Sequence, residues 1–97
     1  MTRLLIIIPT YNEKDNIARI IGEVFLHVPV ADILIVDDNS PDGTGNIVKD
    51  IQRQNPRVHL LSRKSKEGLG KAYIHAFKYA FETFNPERIV MMDADMS

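Results

Sequence analysis

Asp93 and Asp95, separated by one residue and directly after the apolar run Ile89-Val90-Met91-Met92, are the most chemically loaded pair in this 97-residue chain. Side chains of an extended segment alternate with a period of two, so both carboxylates project to one side and reach one cation together. Carboxylate oxygens suit hard ions, and Mg²⁺ or Mn²⁺ shares its coordination with water and a substrate phosphate. A lone Asp-x-Asp also arises by chance; position at a strand end, opposite a second acidic group, gives this copy its weight. That second group is Asp37-Asp38, which closes the run Ile33-Leu34-Ile35-Val36. The same alternation points Asp37 and Asp38 to opposite faces, so one meets a ligand while the other packs or caps.

With Asp42, these acids put five of the chain's thirteen at one rim, where uncompensated they would repel one another and a divalent cation would relieve the strain. The loop Arg63 to Lys71 brings Arg63, Lys64, Lys66 and Lys71 to the same rim, and it reads equally as a solvated loop or as a phosphate-neutralising one. Gly68-Leu69-Gly70 is either a phosphate-approaching turn or a flexible lead-in to a helix. It is neither Gly-x-Gly-x-x-Gly nor a Walker loop, because Ser65 and Ala72 occupy positions where that loop needs Gly and Ser or Thr. Tyr11 either stacks a nucleobase or shields the top of the sheet. His27, His59 and His75 have no ligand spacing and read as surface or boundary residues.

These residues need a scaffold with alternating strands and helices. Leu4 to Ile8 is a doubly buried strand that Pro9 is expected to end. Ile17, Ile20, Ile21, Val24 and Phe25 fall on one helical stripe, with Asn12 or Asp15 available as cap. Ile33 to Val36 is a second strand, closed by the turn-rich Asp37 to Gly43, and Ile47, Val48 and Ile51 mark a shorter helix. Val58 to Leu61 reads as a third strand. Tyr73, Ala76, Phe77, Ala80, Phe81 and Phe84 form the core face of a longer helix, which Asn85-Pro86 ends before the strand Ile89 to Met92. Without hairpin signals this pattern implies right-handed crossovers: an α/β, Rossmann-like, mostly parallel sheet with helices on both faces. Ligands then bind beyond the carboxyl ends of the strands.

Composition agrees with one globular domain, at 44% hydrophobic and 26% charged residues. A net charge of −1 lacks the basic excess of a nucleic-acid binder, so no nucleic-acid partner is expected. The absence of cysteine excludes disulfides and thiolate chemistry and fits a reducing compartment. The first apolar run is too short for a signal peptide, and none is long enough to span a bilayer. The fourth strand has no following helix and exposes an edge, so residues 1–97 are expected to be the N-terminal portion of one longer domain.

Four segments, Pro9-Thr10-Tyr11-Asn12-Glu13, Val36-Asp37-Asp38-Asn39-Ser40-Pro41-Asp42-Gly43-Thr44, Gly68-Leu69-Gly70-Lys71-Ala72-Tyr73 and Met92-Asp93-Ala94-Asp95, together resemble family 2 glycosyltransferases of the GT-A fold. The two inner segments look most like the dolichyl-phosphate mannosyltransferase branch. The resemblance implies that residues 1–97 are the nucleotide-sugar-binding portion of such a domain, and that the reaction is inverting transfer of mannose from GDP-mannose to a polyprenyl or dolichyl phosphate. It also implies that Pro9, Tyr11, Glu13, Val36 and Asp38 hold the guanosine, with Lys71 on the substrate side. Asp93, Ala94 and Asp95 would meet the diphosphate and ribose, with Asp93 and Asp95 serving catalysis on Mg²⁺ or Mn²⁺. Some relatives carry a glutamine ligand where this chain has Ser97, which implies a weaker ligand or a water there. Membrane association of the full-length protein at a cytosolic face, and inactivity of this portion alone, follow from the same resemblance.

Two mimics come from other classes. Ile33 to Asn39 also resembles the opening of a receiver domain, with Asp93 as phosphoacceptor, but about thirty residues precede the acidic pair, Ser97 stands where that family has proline, and Pro9 to Glu13 would have no role. Asp93 to Ser97 approximates the nucleophile loop of haloacid-dehalogenase phosphatases, which belongs after the first strand of its domain. Within the family, a uridine donor with a polyprenyl-phosphate or polysaccharide acceptor is the alternative.

Overall fold

The structure, a computed structural model, describes residues 3–64 and 69–94. Its elements run β1 (Leu4–Thr10), α1 (Ile17–His27), β2 (Asp32–Asp37), α2 (Thr44–Gln54), β3 (Val58–Ser62), α3 (Leu69–Thr83) and β4 (Arg88–Met91). The four strands form one sheet in the order β3-β2-β1-β4, every pair parallel. Successive side chains go to opposite faces, which splits the core in two. Ile6, Ile8, Ile33, Ile35 and Val58 pack with Ile17, Ile20 and Val24 of α1 and Val48 of α2. Leu5, Ile7, Leu34 and Val36 pack with Ala76 and Ala80 of α3.

Pro9 does not end the first strand, which continues to Thr10 with Pro9 opposite Val36. The Ile7 carbonyl accepts from Met92 N on the β4 side, and the Thr10 carbonyl accepts from Asp38 N on the β2 side. Pro9, two residues after Ile7, therefore turns its donorless nitrogen toward β4, beyond the last β1–β4 pair of Ile7 with Met91. The β1–β4 ladder stops before Pro9, while the β1–β2 ladder runs on to Thr10 and Asp37. The helix α1 also starts without the expected Asn12 or Asp15 cap: Asn16 occupies the cap position with no side-chain bond, and the Glu13 carbonyl accepts from Asn16 N and Ile17 N.

On α3 the expected stripe is narrower than read. Ala76 and Ala80 are fully buried and bring the helix close to the sheet, while Phe77 and Phe84 pack partly buried beside them. Phe81 is 57% exposed. It follows Ala80 by one residue and is turned about 100° from the contact line. As the exposed-edge reading expects, among the described residues β4 pairs with β1 alone and leaves Val90 and Met91 half exposed.

Candidate functional site

Four parallel strands deliver their carboxyl ends to one rim, and strand order reverses between β1 and β4, the place where open α/β sheets bind ligands. On the α3 side of that rim lie Pro9 and its register partner Val36. The next residue of that face on β2 is Asp38, whose Oδ1 accepts from Arg63 Nη1 at 3.1 Å. Both side chains are nearly enclosed, at 10% and 6% exposure. Their backbones extend the ladders past the strand ends, with Asp38 N donating to Thr10 O at 3.1 Å and Arg63 N to Asp37 O at 2.8 Å.

Asp37 points the other way, as alternation requires. Its Oδ1 accepts from Thr10 Oγ1 at 2.8 Å and from Ser40 Oγ at 2.6 Å, and its Oδ2 accepts from Ser40 N at 3.0 Å. Asp42 performs a similar task one turn later. It accepts from Thr44 N and Thr44 Oγ1 at the start of α2 and, across the rim, from Lys14 N at 3.0 Å. Asn12 N donates to Ser40 Oγ and Glu13 N to Thr44 Oγ1, which completes a seam between the loops after β1 and β2. Desolvation acts to raise the Asp42 pKa, but the bonds from Thr44 and Lys14, with the Lys14 charge, hold the carboxyl below its ordinary value. The loops bend at Asn12, Asn39 and Gly43, all with positive φ.

The acidic rim is therefore not the uncompensated cluster that the sequence suggests. Asp37 and Asp42 are saturated by hydroxyls and backbone amides, and Asp38 is paired. Arg63 is neither a solvated side chain nor a phosphate neutraliser; it is buried against Asp38. Its signal was present in the sequence, because Leu61 faces α3 and Arg63 is the next residue of that face.

Asp93 stands exposed just past the end of β4, and burial first, then its carboxylate, push the Tyr73 phenol of α3 above its usual pKa. Met92 and Ala94, the neighbours of Asp93, both pack into the α1–α2 core, so alternation places Asp93 on the α3 side of the rim. Asp95 and Ser97, the other expected metal ligands, lie outside the described residues, as do Ser65, Lys66 and Gly68. Among the described residues no three His, Cys, Asp or Glu side chains converge on a metal position. The hard-oxygen donor Asp93, exposed at the switch-point rim, fits a divalent cation. Tyr11 is exposed there, as is Lys71 on the first turn of α3, whereas Glu13 is half-buried. Val36 and Ala94 are buried in the two cores, so their side chains serve packing. His59 is the expected boundary residue, half-buried and 3.1 Å from Asp32 Oδ2.

Residues 5–97 match the profile of Glycosyl transferase family 2. The polyprenol monophosphomannose synthase of Mycolicibacterium smegmatis is 46% identical over 96 residues, 98% of this chain and 36% of that protein. The undecaprenyl-phosphate mannosyltransferase of Micrococcus luteus is 45% identical over 95 residues, 98% of this chain and 39% of that protein. The chain thus spans well under half the length of these curated relatives. Among solved structures, the mannosyltransferase PcManGT from Pyrobaculum calidifontis, in complex with GDP-Man and Mn²⁺, superposes with a TM-score of 0.77 at 24% identity, covering 96% of this chain and 27% of that one. S. aureus TarS gives 0.73 at 23% identity, covering 96% of this chain and 27% of that one. These neighbours show the GT-A fold, of which this chain is an α/β portion.

Proposed function

This chain belongs to glycosyl transferase family 2, and from that premise we propose that it is the donor-binding part of an enzyme that moves mannose from GDP-mannose to a polyprenyl phosphate. The observation that carries the reading is the gathering of Pro9, Val36, Asp38 and Asp93 on the α3 side of the sheet, at the carboxyl rim beside the switch point. The names of two relatives at 45–46% identity support a polyprenyl-phosphate acceptor and a mannosyl product. The GDP-Man and Mn²⁺ bound to a structural neighbour support the donor and the metal.

In this reading Asp38 and the exposed Tyr11 hold the nucleoside over the ends of β1 and β2, and Lys71 lies on the substrate side. Asp93, together with Asp95 and Ser97, would hold Mg²⁺ or Mn²⁺. The ion, when bound, neutralises charge on the departing nucleoside diphosphate. An acceptor phosphate is already anionic at neutral pH, so its attack at the sugar carbon, with inversion, requires placement more than a general base. Residues that place it belong to the remainder of the domain. No described helix is long and apolar enough to cross a membrane; the lipid acceptor implies that the full-length protein works at a membrane, on its cytosolic face. Dolichyl phosphate is one member of the acceptor class.

Calorimetric titration with GDP-mannose and with UDP-glucose, each with and without Mn²⁺, tests the donor. Metal-dependent binding of GDP-mannose alone, lost in Asp95→Ala, is the expected result. Preference for UDP-glucose would replace the donor while leaving the family intact.

A further inference from the structure

We infer that Arg63 is a positioning residue that gives the donor site its preference among nucleobases, by holding the Asp38 carboxylate fixed as an acceptor for base N–H groups. The inference rests on the donor-binding reading above and deepens it. Arg63 Nη1 lies 3.1 Å from Asp38 Oδ1, with both side chains nearly removed from solvent. The backbones of the pair are anchored independently, Asp38 to Thr10 and Arg63 to Asp37. One residue on, Asn39 Nδ2 donates to Lys64 O at 3.2 Å and ties the same two loops again. The pair is thus held from three strands, on the sheet face that also carries Pro9 and Val36.

The contact of Arg63 Nη1 with Asp38 Oδ1 fixes the direction of the Asp38 side chain, and a carboxylate offers acceptors only. An acceptor-only group selects a base edge rich in donors. Guanine offers N1–H and an exocyclic amino group side by side; uracil offers a single N3–H between two carbonyls. A purely structural Arg63 would instead support the loops for every nucleotide alike.

The test compares GDP with N1-methyl-GDP, which lacks the central donor, and UDP with N3-methyl-UDP, by calorimetry in Mn²⁺. The chains are wild type, Arg63→Met, Arg63→Lys, Asp38→Asn and the Arg63→Met/Asp38→Asn double variant, each checked for folding by circular dichroism. Wild type is expected to prefer GDP over N1-methyl-GDP by about tenfold, the size of one good base contact. Arg63→Met should abolish that preference without weakening N1-methyl-GDP, Arg63→Lys should restore part of it, and Arg63→Met should add no loss in the Asp38→Asn background. If Arg63→Met does not fold, Arg63→Lys decides: keeping the full preference overturns the inference, as does an equal loss for GDP and N1-methyl-GDP in any folded Arg63 variant. A wild type that favours UDP overturns the GDP-donor reading alone, since the UDP and N3-methyl-UDP contrast then decides the role of Arg63. A folded wild type that binds neither nucleotide overturns both.

Discussion

Thr10 donates its hydroxyl to Asp37 Oδ1 at 2.8 Å, across the last register pair of β1 and β2. Both residues are buried, and the same carboxylate oxygen also accepts from Ser40. The bond therefore joins two strand ends and a loop at the rim where the donor is proposed to sit.

Removing that acceptor should be costly. Asp37→Ala leaves the Thr10 hydroxyl buried without a partner and frees Ser40, so the chain is expected to lose about 2–4 kcal/mol of stability. Asp37→Asn keeps one acceptor oxygen and should lose less. Urea denaturation read by circular dichroism measures both, and equal midpoints for Asp37→Ala and wild type would contradict this role.

Asp42 makes the rim sensitive to acid. Its folded pKa lies below the ordinary 3.8, so in the folded state it resists protonation. Its contribution is complete above that ordinary value and disappears as pH falls through the lower folded one. Asp42→Asn should therefore be less stable than wild type at pH 7, with the difference shrinking toward pH 3. Urea midpoints at the two pH values check the sign.

Two glycines make opposite predictions from equal space. A Cβ at either Gly22 or Gly43 would meet nothing within 4 Å, but Gly43 has φ of +97°. Gly22→Ala, inside α1, should stabilise by about 0.5–1 kcal/mol. Gly43→Ala, at the left-handed start of α2, should destabilise by about 1–2 kcal/mol. Thermal melting of the two variants distinguishes backbone strain from packing.

Asp93 is exposed past the end of β4 and outside both cores. Asp93→Ala should leave stability within about 0.5 kcal/mol of wild type. It should nonetheless remove the Mn²⁺ dependence of GDP-mannose binding, and EDTA should produce the same loss in the unaltered chain. Retained Mn²⁺ dependence in Asp93→Ala would take the metal away from this carboxylate.

Period, more than composition, made the fold legible. Leu4 to Ile8 and Ile33 to Val36 are short, branched, unbroken runs of the kind a doubly covered strand uses, and Ile17, Ile20, Ile21 and Val24 form a stripe of helical period; both readings are local. The alternation that sends Asp37 and Asp38 to opposite faces is local too, and it holds. What misled was equally specific. Pro9 read as a strand terminator because the side to which its missing donor points depends on which neighbour pairs there. Phe81 read as core because an aromatic at helical spacing does not reveal how narrow the contact line through Ala76 and Ala80 is.

Residue types and their spacing alone determined the α/β class, the rim at which chemistry gathers and the acidic residues that reach it, because strand and helix periods are properties of a short stretch of chain. Only the tertiary structure decided the partners. Strand order sets β3 beside β2, and that adjacency makes Arg63, 25 residues beyond Asp38, its counter-ion rather than a solvated loop residue. It also turns Asp37 and Asp42 from repelling charges into acceptors for Thr10, Ser40, Thr44 and Lys14. Charge compensation depends on distance in space, and no pattern along the chain encodes which distant donors the folded sheet brings to a given carboxylate.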